Sequence, residues 1–548
     1  MPKLTLPLLI VGLLLMSLTP NVSYAPEENT YSYKANYSPI TPGIVESLIS
    51  INSTGDSNVI SVDAQQNGIW VACAIFNGTF ELNSLGGSGQ DSIESKGESD
   101  ILIFGGSSIL SVSWYSHLDG VGENICRGVS LLPNDRVLAY GSYEQSISIG
   151  SSTKYSEGMK DSFVGLYNFS MGAWTHVTDF GGPDDDEIYS MSEYSNGFLA
   201  VGNTNSNLTN STGLGVFSSG TMDCTINPCG MVLDYSSGLS LSKGNLVSSD
   251  TNIKFYDVSN RNAAGTAAII GAFQGNLTFH DSSVSGIVDQ GSWDIIVAQV
   301  NSTLGITGVN RIGGSGFDAG KAIESVSGGG YLIATEVTGQ FTSSRPYNAS
   351  YISNAGGRDI GVFQLYDNLT IFSNQNFGGA GTDQLADLSY DNTGSFAVSG
   401  QIENQITING TNIGIASSKV AFLTAFTTNN QGINSDWAFS ATGSLGSNGR
   451  GNTVHLTSSD VMLWGGRSTP SGPTGTQIGG FSITGGGSGV GFLALFDIDE
   501  DGDAIGSRLD ICPTVFDPNQ LNWDNDQYGD ECDDDDDQDD VLDDVDLC

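Results

Sequence analysis

Positive charge is what this chain has least of. Its 548 residues carry 18 Lys and Arg against 61 Asp and Glu, a formal net charge of −43. Repulsion from phosphates counts against a nucleic-acid partner. Histidine is scarcer still: His117, His176, His280 and His455 are scattered and no two have metal-ligand spacing, so packing is the expected role of each. No Gly-x-Ser-x-Gly elbow and no sialidase-type Asp-box occurs. The glycine run Gly485–Gly491 lacks the Lys-Ser/Thr of a phosphate-cradling loop and leads into a strand-like segment, so it reads as turn glycine. Lys, Arg and Glu are thin through the body, whereas Gly numbers 73 and Ser, Thr and Asn are plentiful. That composition suits many short strands and turns rather than helices.

The charge is unevenly placed. From Asp497 onward there are 21 acidic residues and one basic, Arg508, so −20 sits in the last 52 positions and the remaining −23 is spread over the first 496. Two different objects are expected.

The first residues read as an export signal, 1–25. Lys3 supplies the positive end, Leu4–Leu18 the apolar stretch and Ser23–Ala25 the small residues of a cleavage site. A linker, 26–46, follows, with no lipid-accepting cysteine and no second membrane segment. Export makes the seven cysteines disulfide candidates. Cys224 and Cys229 close the short loop CTINPC, Cys512 and Cys532 flank an acidic stretch, and Cys73 and Cys126 pair if their strands are neighbours, which leaves Cys548 over. Beyond the export signal, eleven Asn-x-Ser/Thr triplets, among them Asn36, Asn77, Asn301 and Asn409, are candidate glycan sites in an exported chain. The run Pro183–Glu187 (PDDDE) is weighed as a calcium or catalytic cluster but reads more simply as a polar turn.

Self-similarity sets the architecture of residues 47–496. FGGPDDDEI at Phe180, IGGSGFDAG at Ile312 and FGGAGTDQL at Phe377 are plain copies; Leu118, Leu246 and Ala441 begin weaker ones. These anchors are separated by 62, 66, 66, 65 and 64 residues. Each is followed by one short apolar run and then another, for example YLIA at Tyr331 and DIGVFQLY at Asp359, without strict alternation, as in sheets covered on both faces. About four strands per unit and seven units imply an all-β ring, a seven-bladed β-propeller, with an open solenoid as the structural rival. The last unit lacks its outer strand, and Leu48–Ile51 at the front, 67 residues before Leu118 and in register, is expected to supply it. The body resembles the bacterial and archaeal seven-bladed propeller repeats with a Trp-x-x-x-Phe-Gly-Gly-x-Gly-x-Asp signature, on Trp114 with Leu118, Trp437 with Ala441, Gly313–Asp318 and Gly378–Asp383. That resemblance implies a fold and no particular reaction.

The tail, 497–548, repeats itself at 36 residues: Asp499 falls on Asp535, Asp501 on Asp537, Asp503 on Asp539, Asp510 on Asp546 and Cys512 on Cys548. Carboxylates at every second position, bent around one point, supply several oxygens to a hard cation of calcium's size, whereas magnesium demands tighter geometry. The charge density predicts a module that is largely unfolded without metal. It resembles thrombospondin type 3 repeats, through Asp-x-Asp-x-Asp-Gly, Cys512-Pro513 and Asp517–Gln520 (DPNQ). The resemblance implies three calcium loops: Asp499, Asp501, Asp503 and Asp510; Asn522, Asp524, Asp526 and Asp530; and Asp535, Asp537, Asp539, Asp543 and Asp546. Asp497 and Asp533 are further candidate ligands. Ala504, Gln527 and Asp540 stand where a Gly is usual, and Ser507 where an Asp is. The array stops at Cys548, where the family continues, so the chain is expected to be a piece of something longer.

The expected function is that of an exported, non-enzymatic cell-surface or secreted protein that binds calcium. Its propeller would bind an unidentified protein or glycan in adhesion, and its tail would act as a calcium-dependent spacer. The alternative is a secreted propeller hydrolase or lyase acting on polysaccharide, with structural calcium.

Overall fold

The structure is a computed structural model that describes residues 43–535 apart from 82–91, 108–109, 207–223, 225–227, 263, 280–283, 346–355, 444–447, 458–460, 472–474, 485–488, 500, 504, 508–509 and 525–527. The expected export signal lies outside the described residues. So do Asp526, Asp537, Asp539, Asp543, Asp546, His280 and Cys548.

The described chain is all-β, with no helix. Apolar runs bounded by Gly, Asn and Asp become strands that pair with their sequence neighbours. In the fifth unit Ala319–Ser325, Tyr331–Val337, Asp359–Leu365 and Ile371–Phe377 form one antiparallel meander. The same order of four strands recurs in Ser57–Val121, Asn124–Phe180, Asp186–Ser249, Asn252–Gly313 and Gln384–Ser440. In the last unit Asn448–Leu456, Met462–Thr469 and Val490–Ile498 are completed by Gly43–Ile51 from the front, with Ile51 opposite Gly491 and Gly43 opposite Ile498. This strand begins four residues before the expected boundary at Ser47.

The core lies between the sheets. Seven apolar clusters each draw on two consecutive units. One of them joins Leu463, Leu493 and Leu495 of the last unit to Val59, Trp70 and Phe104 of the first. Every central strand is therefore covered on both faces, which is why Tyr331–Val337 and Asp359–Leu365 are buried along their whole length and do not alternate.

The Gly-Gly-x-Gly-x-Asp segment explains itself sterically. A Cβ on Gly313 would stand 2.5 Å from a carboxylate oxygen of Asp294, one on Gly314 2.0 Å from the Gln340 carbonyl, and one on Gly316 2.7 Å from Thr338 Cβ. The signature Asp318, 1% exposed, accepts the N–H of Gly314 at 2.8 Å and of Thr338 at 2.7 Å, so it locks the turn to the following hairpin. Asp383 does the same with Gly379 and Glu403, at 2.9 and 2.8 Å. Within PDDDE, Asp186 is held by the hydroxyls of Thr204 and Ser206, and Glu187 by Arg127. The polar-turn reading accounts for that run.

Each unit's first strand carries a one-residue bulge, at Ile60, Arg127, Tyr189, Tyr256, Lys321, Ala386 and Asn452. The extra residue leaves the ladder. The side chain one position later then reaches the next unit. Ser61 accepts from Val129 N–H, Asp257 from Ile323, Asp387 from Val454 and Thr453 from Val62. First strands pack on first strands in chain order, and the last packs on the first.

Withdrawal from water pushes the carboxyl pKa of Asp186, Asp257, Asp318 and Asp383 up to about 6, and of Asp161 and Asp387 up to about 7. Backbone or hydroxyl donors pull each of them partly back. A carboxyl raised in the folded state stabilises the fold most below its unfolded value near 4, and that contribution is lost as pH rises through the folded value. The full chain in chelator is therefore expected to melt at a lower temperature at about pH 8 than at about pH 5, with a shallower slope in Asp387→Asn, by scanning calorimetry. Asp318→Ala strands the buried Gly314 amide and the part-buried Thr338 amide and is expected to cost about 2 kcal/mol in denaturant unfolding.

Candidate metal centre

The strand Val490–Ile498 carries the chain out of the last sheet, and the acidic turns begin at its end. A Cβ on Gly506 would lie 2.4 Å from a Glu46 carboxylate oxygen and 2.8 Å from Asp497 Cβ. Glycine there lets the first turn lie flat on the sheet end. Asp497, 2% exposed, belongs to this seam and not to either carboxylate cluster.

Beyond it the chain wraps by Asx-type contacts, in which a short carboxylate caps a backbone N–H two or three residues on. Asp499 accepts from Gly502 N–H at 2.7 Å, Asp501 from Asp503 at 3.2 Å, Asp503 from Ile505 at 2.8 Å and Asp510 from Cys512 at 2.8 Å. Gly502 takes φ 82°, which a side chain would resist. The wrapping turns the other carboxylate oxygens inward. Asp499, Asp501 and Asp503 each place an oxygen within 4.8 Å of the others, and so do Asp503, Asp510 and Asp517. Asp503 is the shared vertex, 6% exposed, and its second oxygen accepts the Asp517 N–H at 3.2 Å.

Five carboxylates thus gather in two triads, and among the described residues the donors bonded to them are neutral. Gln520 is the chief one: its amide donates to Asp510 at 2.7 Å and to the Asp517 carboxylate, while its oxygen accepts the Ile511 N–H at 3.0 Å. Even so, Oδ2 of Asp501 and Oδ2 of Asp517 are buried without a hydrogen-bond partner. Asp517 is 3% exposed. Removal from water, followed by the charges of the neighbouring carboxylates, pushes the pKa of both Asp501 and Asp517 upward. Buried oxygens facing like charges with no donor are the arrangement a hard, oxygen-seeking cation relieves.

The thrombospondin resemblance implies one loop of Asp499, Asp501, Asp503 and Asp510, and the structure brings them together through Asp503. That loop leaves out Asp517. The available signal was DPNQ after Cys512-Pro513, a carboxylate followed three residues later by the glutamine that holds it. In the second loop Asp530 accepts the Trp523 N–H at 2.8 Å and donates its own N–H to the Leu521 carbonyl at 2.9 Å. Asn522 and Asp524 flank that contact in sequence. Asp533 accepts the Asp535 N–H at 3.1 Å. Asp526 and the third loop beyond Asp535 lie outside the described residues.

All three expected disulfides are present, Cys73–Cys126, Cys224–Cys229 and Cys512–Cys532, with Cα separations of 6.5, 5.5 and 5.6 Å. The last staples the two described acidic loops together. Among the described residues no helix is long and apolar enough to cross a membrane.

No family model matches the chain, and no curated protein does either. Among solved structures it is similar to a protein of unknown function from Dyadobacter fermentans DSM 18053, at 12% identity and TM-score 0.35, over 68% of this chain and 96% of that one. It is also similar to a member of the DUF4221 family from Bacteroides vulgatus ATCC 8482, at 10% identity and TM-score 0.28, over 66% of this chain and 93% of that one. Neither similarity carries a functional argument, so function is argued from the side chains.

Opening the loop between Cys512 and Cys532 frees about 3 kcal/mol of chain entropy in the unfolded state. Cys512→Ser with Cys532→Ser is expected to make residues beyond 498 the first site of limited proteolysis, while the melting temperature of the sheets stays unchanged.

Proposed function

We propose that this chain is an exported, calcium-binding protein. Its body is a seven-bladed β-propeller acting as a binding module, and its tail is an array of thrombospondin type 3-like loops stiffened by calcium. The observation that carries the calcium reading is the pair of buried, donorless oxygens on Asp501 and Asp517 inside two carboxylate triads that share Asp503. Calcium suits the site because it accepts many carboxylate oxygens in flexible geometry, whereas magnesium requires near-octahedral ligands and retains water. Asp499, Asp501, Asp503, Asp510 and Asp517 would hold it, and it would neutralise their mutual repulsion.

The propeller reading is supported by the seven four-stranded units, by the front strand that completes the last of them, and by the apolar cluster joining the last unit to the first. The three disulfides support an oxidising compartment. The non-enzymatic reading is favoured over a polysaccharide hydrolase by how the carboxylates of the first strands are used. Asp63, Asp257 and Asp387 each accept the N–H of a residue in the next unit or in their own strand, so these three serve the scaffold, and Glu324 of the fifth unit faces their charges with its pKa raised by burial.

Calorimetric titration of the full chain tests the calcium reading. Calcium is expected to bind with a larger heat and tighter affinity than magnesium. Asp503→Asn is expected to weaken the site roughly tenfold or more, because its carboxylate belongs to both triads. Equal binding by the variant, or no calcium heat, rejects the reading.

A further inference from the structure

The scarce cations are not scattered evenly. The bulge residues of successive units touch: the Arg127 guanidinium lies 4.7 Å over the Tyr189 ring, the Tyr189 and Tyr256 rings are 6.0 Å apart, and the Lys321 ammonium lies 4.2 Å over the Tyr256 ring. The bulge sets Lys321 just past the pairs Ala319–Glu336 and Gly320–Thr335, and the charges that act on it are Glu336, Arg358, Arg450, two residues before the Asn452 bulge, and Lys254, two residues before the Tyr256 bulge.

Hydrogen bonds fix their placement. Arg358 donates to Glu336 at 2.6 Å. The other oxygen of Glu336 accepts the Leu385 N–H at 3.2 Å, and Arg450 donates to the Leu385 carbonyl at 3.5 Å. Arg358 and Arg450 are thus tied to one carboxylate, directly and through Leu385, and both of its oxygens are already used. Among the described residues only Arg358 of the four is in ion-pair contact. Arg450 is exposed to solvent and Lys321 and Lys254 are half-buried, so the cluster is open to a ligand. Loss of water, opposed by Glu336 and reinforced by repulsion from Arg450, Arg358 and Lys254, lowers the pKa of Lys321. In a chain of net charge −43, like charges held this close need a reason.

We propose that Lys254, Lys321, Arg358 and Arg450, beside Tyr256, form a binding site for an oxyanion carried on a small organic ligand such as an acidic sugar. Two guanidinium forks and two ammonium groups match the in-plane lone pairs of a carboxylate or the oxygens of a phosphate. The Tyr256 ring offers an apolar edge for the rest of the molecule. The inference deepens the reading of the body as a binding module and does not involve the calcium loops.

The test titrates the full chain in chelator and low salt with D-galacturonate, neutral D-galactose and inorganic phosphate. An anion is expected to bind where galactose does not, with affinity falling as salt is added, and which anion binds identifies the group. Arg450→Gln, at an exposed side chain, and the double variant with Lys321→Gln are expected to weaken binding by about tenfold or more with an unchanged melting temperature. Lys243→Gln, at an exposed lysine that donates to the Ser302 carbonyl, is expected to change nothing. Failure of both anions to bind, equal binding of galactose, or full binding by the double variant overturns the proposal. Calcium titration of the same sample reads the tail separately, so either reading can fail alone.

Discussion

A carboxylate taken out of water costs free energy until donors or a cation replace its hydration. In the sheets the replacement is the peptide backbone. Asp318 and Asp383 reach across a glycine turn to two N–H groups each, and Asp257 and Asp387 reach from a bulge to the strand of the next unit. The acidic side chains are thus the fasteners between repeated sheets whose apolar faces meet in seven clusters. In the tail the same side chains outnumber the available donors. Asp503 accepts two backbone amides, Asp510 one amide and the Gln520 side chain, and one oxygen each of Asp501 and Asp517 is left without a donor. Single carboxylate oxygens are left without a donor in the body too, as at Asp161 and Asp294; what separates the candidate metal centre from the scaffold is that such oxygens stand there inside two carboxylate triads that share Asp503.

The repeat was legible because its punctuation is steric. No residue but glycine fits at Gly313, Gly314 and Gly316 against Asp294, Gln340 and Thr338, so the turn marks every unit that keeps it. The completing strand was legible from register, although its start at Gly43 was not, since Gly43–Glu46 shows no alternation to read. The bulges were invisible. A single extra residue at Tyr256 or Lys321 leaves the apolar pattern intact and shows only when the two strands are laid side by side. In the tail, alternating aspartates announced the first loop, but Asp517 lies outside the alternation and arrives through the fold-back that the Cys512–Cys532 bridge closes. The cationic cluster was the least legible of all. Lys254, Lys321 and Arg450 are separated by 67 and 129 residues, and only the phase of the repeat brings them together.

Charge is therefore sorted by function within the chain. The acidic excess is densest in the last 52 positions, where it gathers oxygens around a point. Four of the 18 cations lie near the first strands of units four, five and seven, around Glu336. An acidic surface keeps stray anions away, so a small positive recess within it gains selectivity as well as affinity.

The claim most exposed to test is that the oxygens of Asp501, Asp503 and Asp517 turn inward to hold a cation. Hydrogen–deuterium exchange on the full chain, with calcium and with chelator, reads it amide by amide. Calcium is predicted to slow exchange at Gly502, Asp503, Ile505, Cys512 and Asp517, whose N–H groups Asp499, Asp501, Asp503 and Asp510 accept, and to leave Gly314 and Thr338 in the sheets unchanged. Equal exchange at the tail amides under both conditions would contradict it.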